Sequence, residues 1–296
     1  MTEFLPGFDH ATIETEPGVS IHARSAGRGS PILLLHGHPQ TSSTWHAVAP
    51  ALAEHHRVVL MDLRGYGASA KPPSGPDHAT YSKRAMAQDA VSVMRALGHA
   101  RFAIVGHDRG GRVAHRLAMD HPDAVERIAV LDIAPTLHMY ETADRRFAEA
   151  YFWWFFLIQP EPLPERLIGA DPEFFLRHHL AQQSRTAGVP AEPVIREYLR
   201  HYDDPAAIHA ICEDYRAAST IDLVHDRADR ETGRRVMSPL LALWGAEGTV
   251  GKLYDVLDTW RAVASDVRGR ALACGHLLQE ERPDETLAEL RAFLAG

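Results

Sequence analysis

Asp108 lies in the run Val105-Gly106-His107-Asp108-Arg109-Gly110-Gly111-Arg112, after an apolar stretch at 101–106 and before a helical pattern from about Gly111 to Met119. Gly106 and Gly110 lack the Cβ atoms that would collide in a sharp strand-to-helix turn, so side chain 108 is lifted above the end of its strand. The helix N-terminus favours a negative group there. A Gly-x-Asp-x-Gly run is also what a tight turn with an Asp N-cap looks like. The strand before it and the helix after it favour the chemical reading. A carboxylate in this position is a poor attacker of acyl carbons. It can displace a leaving group from an sp³ carbon, and water must then hydrolyse the resulting alkyl ester, which requires a base.

His276, in Ala273-Cys274-Gly275-His276-Leu277, follows the last strand pattern, where such a base belongs. Its ordinary pKa suits proton removal from water near neutrality. The base needs a carboxylate to orient it. Asp132 ends the strand that follows the turn and helix, 24 residues past Asp108, and is the favoured candidate; Glu247, after the next strand, is the alternative. The loop His36-Gly37-His38-Pro39 follows an inner strand. A backbone N–H from this loop, at His38, and that of Arg109 are the candidate donors to the oxyanion formed when water attacks the ester. Arg109 and Arg112 are three residues apart and share a helix face. Two guanidinium groups beside a nucleophile suit a substrate carboxylate through charge-assisted hydrogen bonds.

These groups need a scaffold that brings strand ends together. The chain has 296 residues with a formal charge of −8, 45% apolar and 24% charged. That composition excludes a disordered, collagen-like or low-complexity protein. The acidic balance argues against non-specific nucleic-acid binding, which needs a basic footprint. No apolar run approaches the ~20 residues of a membrane span. The first residues lack a basic and an apolar segment, so no signal peptide is expected. Two cysteines, Cys212 and Cys274, form no metal-ligand spacing, and a reduced, cytoplasmic protein without metal is expected. The pattern predicts a hairpin over 11–25, strands at 31–35, 57–61, 101–106 and 127–131, and a helix at 82–97. After residue 136 the periodicity turns helical and aromatic until about 232. Strands then return at 239–244 and 267–273, with helices at 252–264 and 284–295. The expectation is an α/β protein with a mainly parallel sheet, formed by 1–135 and 233–296, and an inserted helical cap at 136–232 over the carboxyl edge of the sheet, where open α/β folds place ligands.

Taken together, His36-Gly37, Asp62-Leu63-Arg64-Gly65-Tyr66-Gly67, Gly106-His107-Asp108 and Gly275-His276 resemble the α/β-hydrolase superfamily in its branch with an Asp nucleophile. The resemblance covers essentially the whole chain. It is finest for the haloacetate (fluoroacetate) dehalogenases, on His107–Arg112, Asp132-Ile133-Ala134-Pro135, Trp154–Pro160 and Asp214-Tyr215-Arg216-Ala217. It implies an α/β-hydrolase fold and hydrolysis of a 2-haloacid to a 2-hydroxy acid and halide, with Asp108, His276 and Asp132 as the triad. It implies no cofactor, and a homodimer. The same triad serves epoxide hydrolases, which is the alternative activity. In the dehalogenases a His, a Trp and a Tyr from the cap hold the halide. Trp154 and Tyr215 match two of these, while Trp153 stands where the His is expected. Indole donates a hydrogen bond but never becomes cationic. The expectation is therefore better turnover of chloro- or bromoacetate than of fluoroacetate.

Overall fold

The computed structural model describes residues 4–296. Among them an eight-stranded sheet forms from β1 (Asp9–Glu16), β2 (Val19–Ala26), β3 (Pro31–Leu35), β4 (Arg57–Met61), β5 (Phe102–His107), β6 (Val125–Leu131), β7 (Leu240–Gly245) and β8 (Val267–Leu272). Their spatial order is β1-β2-β4-β3-β5-β6-β7-β8. The β1–β2 hairpin is antiparallel and β2 pairs antiparallel with β4; every later pairing is parallel.

The inner strands are apolar at successive positions because the sheet is covered on both faces. Side chains alternate between faces along a strand, and the core divides accordingly. Leu33, Leu35, Val59, Met61, Ile104 and Val130 belong to one buried cluster. Ile32, Leu34, Val58, Leu60, Val105 and Leu131 belong to the other. All six residues of β5, at the centre, are buried.

Among the described residues eight helices lie between β6 and β7, from Thr136–Glu141 to Ile221–Glu231. Two details depart from the sequence pattern. The helix expected over 252–264 is two short helices, Thr249–Leu253 and Val256–Arg261. Tyr254 is extended between them, and the Asp255 side chain accepts the Asp258 N–H at 3.0 Å and restarts the helix. The helix after the turn at Asp108 begins at Arg109 rather than Gly111. The glycines there are tolerated because closeness of backbone, not helix propensity, decides the site: a Cβ on Gly110 would lie 2.5 Å from the His36 carbonyl oxygen. No helix among the described residues is long and apolar enough to cross a membrane.

Candidate active site

The parallel register sets the ends of the inner strands side by side. Gly106 pairs with Leu35 on one side and Val130 on the other, and His107 pairs with Leu131. Asp108 and Asp132 are each the residue after a strand, and each is tied to the next strand by its peptide. Asp108 N–H donates to the Leu131 carbonyl at 3.2 Å, and Asp132 N–H to the Leu243 carbonyl at 2.8 Å. Both carry positive φ, 46° and 51°, and His78 is the third such non-glycine among the described residues. Left-handed backbone at a non-glycine residue is uncommon and tends to persist where the surroundings over-determine it, often at functional sites. Here it turns two carboxylates off two adjacent strands toward one imidazole.

That imidazole is His276, in the loop after β8. Its Nδ1 donates to Asp132 Oδ2 at 2.5 Å, while Asp132 Oδ1 accepts the Gly245 N–H at 2.8 Å. The orienting carboxylate is thus held on both oxygens. Glu247, the alternative, is exposed and directs only its peptide N–H back to the Cys274 carbonyl. The other face of the His276 ring looks at the nucleophile candidate, with Nε2 3.9 Å from Asp108 Oδ2. Nε2 is buried without a hydrogen-bond partner among the described residues. A gap of this size leaves Nε2 unpaired beside the carboxylate, available to a water. The loop itself is pinned: the His276 N–H donates to the Gln183 carbonyl at 3.0 Å, and its carbonyl accepts from His107 Nε2 at 2.8 Å.

On the other side of Asp108 the His38 N–H donates to Oδ1 at 3.0 Å. Gly37 permits that approach, since a Cβ there would stand 2.5 Å from Asp108 Cβ. Burial alone would push the Asp108 carboxyl up, but His276, His107, Arg109 and Arg112 hold it well below the usual carboxylate range. The carboxylate is ionised. Burial would lower His276, but its hydrogen bond to Asp132 and the charges of Asp132 and Asp108 outweigh that and raise it above its ordinary 6.5.

Both arginines are buried, at 0% and 4% exposure, and each is committed except for one nitrogen. Arg109 donates Nε and Nη2 to the two oxygens of Asp214 at 2.9 and 2.7 Å, leaving Nη1 without a partner among the described residues. Arg112 donates Nη1 to the Ala134 carbonyl and Thr136 Oγ1 and Nη2 to Met139 Sδ, leaving Nε. A buried donor left without a partner costs about 1–3 kcal/mol. The two unpaired nitrogens belong to cations whose charges both act on Asp108.

Aromatic residues from the inserted helices cover these cations. The Arg109 guanidinium lies 4.1 Å over the Tyr215 ring and that of Arg112 4.7 Å over Trp154, and the two rings are 6.4 Å apart edge to face. Trp153 is also buried, but its ring contacts Tyr151, Phe152 and His179. His179 was not singled out from the sequence. It lies on helix Pro172–Gln183, 4.5 Å from the Trp153 ring and 4.7 Å from that of His38. Burial drives its pKa well below 6.5, so it is a neutral imidazole, and Gln183 Nε2 donates to its Nε2 at 3.0 Å. A lone His in a helical stretch gave no signal of this. The side chain of His38 projects away from the nucleophile into the same group, with its Nε2 3.3 Å from the Tyr202 hydroxyl. Among the described residues no group of three or more His, Cys, Asp or Glu is arranged to hold a metal ion.

A strand-end carboxylate at a sharp turn, a second carboxylate holding a histidine beside it and a backbone N–H on the first define the class. A family model for the α/β hydrolase fold matches residues 30–283. The chain is 46% identical to a fluoroacetate dehalogenase of Burkholderia sp., over 98% of this chain and 94% of that one. It is 33% identical to a soluble epoxide hydrolase of Corynebacterium sp. strain C12, over 94% of both chains. A solved Salmonella enterica structure, provisionally described as an acyltransferase, is 55% identical with a TM-score of 0.97, covering 100% of this chain and 97% of that one. The chain belongs to the α/β-hydrolase superfamily and, within it, to the haloacetate dehalogenases.

Proposed function

We propose that the protein hydrolyses the carbon–halogen bond of a 2-haloacid such as haloacetate, releasing halide and the 2-hydroxy acid. The observation that carries this is the pair of buried guanidinium groups, each with one unpaired nitrogen, beside an ionised Asp108. A neutral substrate would leave both unpaired. In the proposed sequence Arg109 Nη1 and Arg112 Nε take the substrate carboxylate, which offsets its repulsion from Asp108. Asp108 attacks C2 from the side opposite the halogen. The C–X bond breaks, and the halide departs toward the donors of Trp154 and Tyr215, with Trp153 beside them. The helices from 136 to 232 act as the cap that excludes water during this step.

The ester then changes the base. Part of the rise in the His276 pKa comes from the Asp108 charge, and esterification removes that charge. His276 becomes more readily neutral just when it must take a proton from water. Water attacks the ester carbonyl, and the His38 N–H, already aimed at Oδ1, stabilises the oxyanion with that of Arg109. The Cγ–O bond to the alkyl group breaks, His276 returns the proton to the departing alkoxide, and glycolate, when the substrate is haloacetate, leaves with an oxygen of Asp108 that the water oxygen replaces in the carboxylate. The proposal includes a homodimer.

A second reading, epoxide hydrolysis, is favoured by one feature. Tyr151 and Tyr215 are both buried and both feel the Asp108 charge, as tyrosines that protonate an epoxide oxygen would. It leaves the arginine pair without a role. Halide release from fluoro-, chloro- and bromoacetate, run beside hydrolysis of styrene oxide, separates the two. In a His276→Gln variant exposed to chloroacetate, mass spectrometry should find a carboxymethyl ester on the peptide carrying Asp108. An unmodified peptide overturns the scheme.

A further inference from the structure

Arg109 does not reach its place by itself. Its guanidinium is gripped from helix Pro205–Ser219 by Asp214, which takes Nε on one oxygen and Nη2 on the other, and whose backbone carbonyl takes Nη2 again at 2.9 Å. Asp214 is fully buried and has two more donors: the Tyr66 hydroxyl at 2.7 Å and Lys83 Nζ in a very short contact. Tyr66, Lys83 and Arg109 come from the sheet domain; Asp214 and the ring of Tyr215 beneath Arg109 come from the inserted helices. One aspartate therefore closes the two layers on each other and decides which nitrogen of Arg109 remains unpaired.

We propose that Asp214 is the positioning residue for substrate-carboxylate recognition: it holds Arg109 by a bidentate grip so that Nη1 alone faces the seat beside Asp108, and docking of the helical layer and assembly of that seat are one event. The inference rests on the haloacid reading above. Three observations support it. The fork geometry uses up two of the three nitrogens that a free arginine would offer in any order. Lys83 Nζ shares Asp214 with Arg109 and lies 3.6 Å from Asp222 as well, so a second buried cation fixes the carboxylate while it grips the arginine. Tyr66 satisfies Asp214 Oδ2 from outside the arginine plane and fixes the carboxylate plane in turn.

The sign of one substitution separates positioning from simple charge balance. Asp214→Asn removes a negative charge. If Asp214 were only a counter-ion, the seat would become more positive and the anion would bind more tightly. If it positions Arg109, the amide offers one acceptor in place of two, the guanidinium swings free, and binding weakens. Expected for chloroacetate is a KM raised by about tenfold or more with kcat within about threefold of wild type, since the lost preorganisation is felt alike in ground and transition states. The affinity for glycolate, measured by calorimetry, should fall in parallel. An unchanged or lowered KM overturns the proposal. Tyr66→Phe leaves every buried charge paired and guards against a variant that does not fold. Its KM should rise by about two- to threefold at constant kcat through a loosened Asp214, and an unchanged KM overturns the proposal as well. A wild-type protein that releases no halide from chloroacetate or bromoacetate sinks the haloacid reading instead. Glycolate binding to wild type and Asp214→Asn then tests the positioning claim alone, and equal affinity refutes it.

Discussion

The two sides of the reaction chamber are built differently. On the sheet side the groups are placed by main chain. Asp108 and Asp132 are tied through their peptide N–H groups to neighbouring strands; Asp132 and Asp108 each accept one backbone N–H on the carboxylate; and His276 is pinned at its own N–H and carbonyl. Where the helical layer meets the sheet domain the groups are placed by other side chains: Arg109 of the sheet domain by Asp214, the faces of Tyr215 and Trp154 by the guanidinium groups, and Trp153 by His179. Main-chain placement follows from the sheet register and tolerates little change. Side-chain placement can be retuned by one substitution. In the proposed mechanism the type of reaction resides on the first side, and the choice of substrate and leaving group on the second.

Three substitutions test that division, and their effects should descend in size. Asp108→Asn keeps the turn but removes the nucleophile, and should lower kcat by about 10⁴-fold or more. A smaller loss would mean that the carboxylate is not the attacking group. Asp132→Asn should cost about 10³-fold in kcat through loss of the orienting acceptor, and it should also move a pH limb. His276 works as a base only when deprotonated, so activity falls as pH drops through its raised pKa. The hydrogen bond and charge of Asp132 are the main causes of that rise, so the limb should shift toward acid in the variant. A limb that stays in place would assign it to another group. Trp153→His tests the helical side. The ratio of fluoroacetate to chloroacetate turnover should rise by a few-fold to about tenfold, because fluoride demands the stronger, ionisable donor. An unchanged ratio would leave Trp153 a packing residue and shift the halide question to His179.

Local chemistry made some of this legible without coordinates. The turn at Asp108 announces itself because only glycines clear the backbone there, between a strand pattern and a helical one. Asp132 and His276 follow from position, each being the residue or nearly the residue that ends a strand of a parallel sheet. The pattern missed where neighbours in space, not in sequence, decide. The helix over 252–264 breaks because Asp255 caps a second one. His179 lies 26 residues and a separate helix from Trp153 and meets it only through the packing of the inserted layer. Asp214 stood in the sequence as part of a motif, with nothing to say that it would hold Arg109.

From its residues alone, then, this chain pointed to a strand-end carboxylate, an imidazole and two candidate acids to orient it, since strand ends and glycine turns obey rules of covalent geometry and hydrogen bonding within a few residues. Only the folded molecule settled Asp132 over Glu247 as the partner of His276, left one free nitrogen on each arginine and brought a neutral imidazole to Trp153. Those outcomes depend on how two layers joined by distant segments pack, and packing is a property of shapes that no local pattern encodes.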